Sequence, residues 1–295
     1  MVIQIRKKYY LEYKMKPKSY VMKLKVLFIV ASVLTVSTYG QTRNEIIKKA
    51  GICFSQGDYA CAETSYKKAI EMSESQQDDL YILYENLGTA QRRNEKRKEA
   101  MESYNMADKL SPNNPFILTN RASLKNQLKD TKGALDDYAL SLNIDSLNEE
   151  TLINRSHMYK VMGDTVAALK DLERVLKFKP KSLAARNNYA DVMMNKGKYA
   201  EAMKVFDELL DEHPNEPILL NNKGDVYLKL KDYEKAMEFV NKAIKIKSTY
   251  DVAYVTRGEI YIKMGELAKA KKDFQKAIKL GCEETKVFKL LDKCN

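Results

Sequence analysis

One interval constrains this chain more than any other feature. Small residues recur every 34 positions, at Ala100, Ala134, Ala168, Ala202, Ala236 and Ala270. Four residues beyond each stands a bulky one: Tyr104, Tyr138, Leu172, Phe206, Val240 and Phe274. Twelve residues before each stands another small one: Gly88, Ala122, Ser156, Ala190, Gly224 and Gly258. Within each window two segments of helical periodicity flank a short polar link such as NEKRKE or LKDYE. A helix pair of this size cannot bury its apolar face alone, so the periodicity predicts stacked pairs rather than a globular core. Composition agrees. With only 11 Gly and 6 Pro in 295 residues, few positions break a helix.

The windows begin near Tyr81, Pro115, Glu149, Leu183, Pro217 and Asp251. A looser copy begins near Arg43, with Ala50, Ala62, Tyr66 and Ala69 in the matching places and four extra residues, Gln77 to Leu80, before the next window. Tyr84, Leu87, Gly88, Ala100, Tyr104 and Pro112 follow the pattern of the tetratricopeptide repeat. So do Gly224, Tyr227, Ala236 and Ala243, and Tyr254, Gly258, Tyr261, Ala270, Phe274 and Ala277. The leading aromatic is lost at Leu118, Leu152, Arg186 and Leu220, and the closing Pro at Ser146, Ser248 and Cys282. The chain therefore resembles that family over nearly all of residues 41–284. The resemblance implies an all-α fold: an α-solenoid, right-handed in its superhelix, of about seven helix pairs. The expected division is a leader over 1–40, a degenerate first repeat over 41–80, six repeats over 81–114, 115–148, 149–182, 183–216, 217–250 and 251–284, and a capping helix over 285–295. In that cap Val287, Leu290 and Leu291 stand at helical spacing.

The resemblance also implies a concave groove lined by the first helix of each pair. The sixth residue of successive windows is Asn86, Asn120, Asn154, Asn188 and Asn222, with Thr256 ending the series. An amide offers one acceptor and two donors, so a row of them can bond an extended peptide backbone whatever its sequence. Asparagines that bond within or between repeats are the competing reading. Three residues further along each first helix stand Ser123, His157, Asp191, Asp225 and Glu259, beside Asn187 and Asn221. Asp191, Asp225 and Glu259 would suit a partner segment carrying Lys or Arg; carboxylates that simply face solvent are the alternative. The inward Lys and Arg with which chaperone-binding relatives clamp an acidic tail are not supplied together.

Charge first points to nucleic acid, with 51 Lys and Arg against 40 Asp and Glu, a net +11. Its location argues otherwise. Residues 1–40 hold Arg6, Lys7, Lys8, Lys14, Lys16, Lys18, Lys23 and Lys25 against Glu12 alone, which is +7 of the total. From Gln41 onward the net is +4, with the signs interspersed. A protein or peptide is the expected partner, not nucleic acid. In the leader, Met22-Lys23-Leu24-Lys25 precedes the apolar run Val26 to Val36 and small polar residues, the three parts of a secretory signal, and cleavage is expected before Gln41. The run is shorter than the ~20 apolar residues of a membrane-spanning helix. The expected location is periplasmic or secreted. Retention of Leu24 to Tyr39 as an anchor gives the alternative, a membrane-tethered assembly factor of an envelope complex, and only then membrane contact. Met1, Met15 and Met22 are all possible starts.

Four cysteines in an exported chain invite pairing. Cys53 and Cys61 lie four residues either side of Gly57, where a turn between antiparallel helices could bring them together. A continuous helix between Cys282 and Cys294 would hold them about 18 Å apart, too far for a bond, which leaves them free or paired between chains. Chemistry of other kinds finds no residues. His157 and His213 are the only histidines, no C-x-x-C or H-E-x-x-H spacing offers a metal site, and no nucleophile-elbow, Walker or dinucleotide motif is present. The chain reads as a binding surface that is not an enzyme and needs no cofactor.

Overall fold

The computed structural model describes residues 42–73 and 78–294; the basic and apolar leader lies outside them. The described residues are all-helical apart from turns and caps, fifteen α-helices in consecutive antiparallel pairs with a last helix unpaired. Two compact units divide after Leu110.

The first unit holds α1 (Arg43–Ser55), α2 (Tyr59–Glu71), α3 (Leu80–Arg93) and α4 (Arg97–Leu110). Thr42 starts α1 with a capping box, its hydroxyl accepting from the Glu45 N–H while the Glu45 carboxylate accepts from the Thr42 N–H. Ile46, Ala50, Ala62, Tyr66, Ala69, Leu83 and Leu87 form its core. A disulfide joins Cys53 to Cys61 across the α1–α2 turn, with Cα atoms 5.7 Å apart. Arg43 reaches forward to Asp79 with two bonds of 3.0 and 2.7 Å. Buried Glu63 takes Lys67 at 2.8 Å, Lys96 at 2.9 Å and Asn94 at 3.2 Å.

The second unit runs through α5 (Pro115–Gln127), α6 (Thr131–Ile144), α7 (Glu149–Val161), α8 (Thr165–Phe178), α9 (Leu183–Asn195), α10 (Tyr199–Glu212), α11 (Pro217–Lys229), α12 (Tyr233–Ile246), α13 (Asp251–Lys263), α14 (Leu267–Lys279) and the short α15 (Glu284–Leu291). Pro115 and Pro217 open α5 and α11 at the first turn, where no N–H is needed. Second helices start on Asp130, Asp164 and Asp232, whose carboxylates accept from N–H groups three residues on at 2.9 to 3.1 Å. The turn before each of these helices needs one residue in the left-handed region. Gly163, Gly197 and Gly265 supply it, and Lys129 and Lys231 adopt it at φ 65° and 63°.

The small-residue register does what close packing demands. A Cβ on Gly224 would lie 2.6 Å from the Val240 side chain, and one on Gly258 2.5 Å from the Phe274 ring. Each bulky residue thus lies over its own repeat's small one and also faces the following pair, as Tyr138 does with Ala122 and Met158. First helices pack on first helices: α5 on α7, α7 on α9, α9 on α11 and α11 on α13. Second helices instead meet chiefly the first helices of their own and of the next pair. Closer neighbours on one side put the first helices on the inner side of this unit.

At the chain's end α15 has only eight residues and closes in a 3-10 turn over Asp292–Cys294. The chain between Cys282 and Cys294 is therefore not one continuous helix. Gly281, at φ 102°, turns the chain before α15, and both cysteines pack against the cluster of Ala270, Phe274 and Val287.

Candidate peptide-binding surface

In the second unit the asparagine row falls on successive first helices: Asn120 on α5, Asn154 on α7, Asn188 on α9 and Asn222 on α11, all partly accessible. Asn86 stands at the same place on α3 in the first unit. Part of the row bonds to itself. Asn222 donates its amide to Asn187 at 2.9 Å, and Asn187 donates to Asn188 at 3.3 Å.

The acidic strip is less uniform than its sequence. Lys160 pairs with Asp191. Lys229 approaches Asp225 at 3.5 Å. Glu259 borders an open recess of about 400 Å³ with Lys229, Lys231 and Lys263, backed by Ile262 and Leu290. Asp225 is enclosed enough that burial lifts its carboxyl above the ordinary range, against the opposing pull of Lys229. His157 is exposed on α7, and Ser123 bonds the Tyr138 hydroxyl at 3.1 Å.

Two features escaped the sequence reading. Arg121–Asp137, Arg155–Asp171 and Arg257–Asp273 each join the two helices of one pair through two bonds of 2.7 to 2.9 Å, with the carboxylates buried. A shared offset of 16 residues, repeated with the 34-residue step, was the available signal. The second is a buried trio of hydroxyls, in which Thr151 meets Thr119 at 2.5 Å and Ser141 at 2.9 Å between consecutive pairs. No cluster of three or more His, Cys, Asp or Glu that could hold a metal occurs among the described residues. No helix among them is long and apolar enough to cross a membrane.

This helix-pair geometry has relatives. Tetratricopeptide-repeat family models match residues 47–76, 81–114, 162–223, 217–250 and 252–281. A solved tetratricopeptide repeat protein from Parabacteroides merdae ATCC 43184 is 32% identical, with TM-score 0.71, over 86% of this chain and 99% of that one. The chain belongs to the tetratricopeptide-repeat family. Residues 115–161, between the matched ranges, carry the same helix-pair geometry. Two further structures share the fold at lower identity. PilW, a type IV pilus biogenesis factor, is 15% identical with TM-score 0.57, covering 71% of this chain and 98% of that one. PilF from Pseudomonas aeruginosa is 18% identical with TM-score 0.54, covering 72% and 97%. No curated protein matches the chain.

Proposed function

We propose that this tetratricopeptide-repeat protein is a non-enzymatic scaffold or adaptor that holds a segment of another polypeptide along the first helices of its repeats. The observation that carries this reading is the row of Asn120, Asn154, Asn188 and Asn222 on four consecutive first helices that pack side by side. Asn86 offers the same group on α3. Backbone C=O and N–H groups of an extended segment pair with such amides without regard to its side chains. Asp191, Asp225 and Glu259 supply selection for basic residues beside the row. Export to an oxidising compartment fits this role and the bridge between Cys53 and Cys61.

Replacing Asn120, Asn154 and Asn188 together with Ala is expected to abolish retention of random-sequence dodecapeptides on the immobilised protein, with the helical circular dichroism unchanged. Undiminished retention rejects the groove reading.

A further inference from the structure

Two oxygen atoms on α11 lack what buried acceptors require. Asn221 is only 3% exposed, and its Oδ1 has no hydrogen-bond partner among the described residues. One turn on, Asp225 Oδ1 is equally enclosed and equally without a hydrogen bond. Lys229 Nζ stands 3.5 Å from it, beyond the ordinary range for an N–H···O contact. Residues four apart on a helix share a face, so the two side chains project from the same side of α11. Buried polar atoms are nearly always satisfied, which makes an adjacent pair of exceptions informative.

Neighbouring groups are committed elsewhere. The Asn222 amide is spent on Asn187, the Asn187 amide on Asn188, and the Lys160 ammonium on Asp191. Water could satisfy the oxygens but not the charge. The Asp225 carboxyl is raised by burial and by the Asp191 carboxylate, which outweigh the opposing pull of Lys229 and Lys160. A donor that also carries positive charge would satisfy both oxygens and offset the buried carboxylate together.

We infer that Asn221 and Asp225 form a subsite for one cationic side chain, a lysine ammonium or an arginine guanidinium, of the bound polypeptide. The inference rests on the reading that a polypeptide lies along the first helices, and narrows it to a defined anchor. An ammonium presents three donors and a guanidinium five, so either can bond both oxygens at once. Lys229, about half exposed, is free to swing aside as the guest arrives. Asp191 adds attraction at longer range while remaining paired with Lys160.

The test uses immobilised full-length protein and pools of acetylated, amidated dodecapeptides of random sequence. The central position is fixed in each pool as Lys, Arg, Nε-acetyl-lysine, Gln or Ala. Lys and Arg pools are expected to be retained about tenfold better than the other three, the scale of one charge-assisted bond. Asp225→Asn, which keeps the shape, is expected to erase that preference while every pool still binds. Asn221→Leu is expected to reduce it several-fold. Equal retention of Lys and acetyl-lysine pools overturns the subsite and leaves the groove reading standing. Loss of retention for all pools on the wild-type protein overturns the groove reading itself. A preference for Lys that survives both substitutions places the selectivity elsewhere and overturns the assignment. A melting midpoint that rises with millimolar Ca²⁺ in wild type but not in Asp225→Asn identifies a metal ion as the occupant and also overturns it.

Discussion

Windows 149–182 and 217–250 have the same skeleton and different fastenings. In the first, Arg155 on α7 grips Asp171 on α8 through two bonds of 2.8 and 2.7 Å, with Asp171 3% exposed. At the same two places the other has Lys223 and Phe239, the ammonium 4.5 Å from the ring centre and Tyr227 stacked on the ring at 5.5 Å. Window 183–216 goes further, with Tyr189 and Val205 packed into its core. An ion pair, a cation over a ring and an apolar contact thus hold the same pair of helices together. The buried clamp is one solution among several, consistent with the rule that buried ion pairs add little net stability over well-packed apolar groups. What does not vary is a small buried residue at one place, Ser156 in the first and Gly224 in the second, with Leu172 and Val240 buried sixteen residues on. The part of the unit without clamps is also the part that holds Asn221 and Asp225.

The difference predicts an asymmetry between breaking a clamp and replacing it. Asp171→Ala strands a guanidinium that is mostly buried, and is expected to cost about 3–5 kcal/mol in urea unfolding. Arg155→Leu with Asp171→Leu is expected to cost less than about 1 kcal/mol, because it imitates the apolar solution of window 183–216. A double variant as damaged as the single one breaks the comparison.

The first unit offers a buried acid bound by separate groups rather than one fork. Burial alone would raise the Glu63 carboxyl, but bonds from Lys67, Lys96 and Asn94 outweigh it and bring it down from 4.5 to about 2. A depressed carboxyl stabilises the fold above its unfolded value and loses that contribution as pH falls through the folded one. Glu63→Gln is expected to lose about 2 kcal/mol at neutral pH. Its deficit against wild type should shrink as pH drops from 4.5 towards 2, followed by denaturant titration at each pH.

Next comes the shared skeleton. Gly258→Ala sets a methyl 2.5 to 2.9 Å from three atoms of the Phe274 ring and is expected to cost about 1–2 kcal/mol. Gly224→Ala meets one Val240 methyl at 2.6 Å and the Ala236 carbonyl at 3.2 Å, and should cost less, because a valine can turn where a ring cannot. Equal melting midpoints for the two variants would remove ring stiffness as the cause. The smallest effect is a gain. Lys129→Gly relieves a left-handed residue at φ 65° and is expected to add about 1 kcal/mol or less.

How much of this was legible in advance follows from which interactions are periodic. Gly88, Gly224, Gly258 and the alanines twelve residues on repeat because every pair must solve the same packing problem, so a single sequence displays them six times over. The clamps occupy three windows, and their residues read as interspersed surface charge until the fold places Arg121 beside Asp137. The turn at Gly57 allowed Cys53 and Cys61 to be considered together, since both positions follow from the local helix pair alone. At Cys282 and Cys294 the same local reasoning took one helix as its measure, and the chain there is helical only over Glu284–Leu291 before it tightens into a 3-10 turn. Asn221 was visible only as a neighbour of the acidic strip. Whether an amide oxygen finds a donor depends on side chains from other helices, which no spacing rule records.

The central claim is that a polypeptide lies against the first helices. Photo-crosslinking tests it most directly, with benzoylphenylalanine placed at His157 on α7 or at Lys170 on α8, both exposed. Irradiation with random dodecapeptides is expected to label the protein from position 157 and to leave position 170 unlabelled. Labelling from 170 that equals or exceeds labelling from 157 contradicts the account.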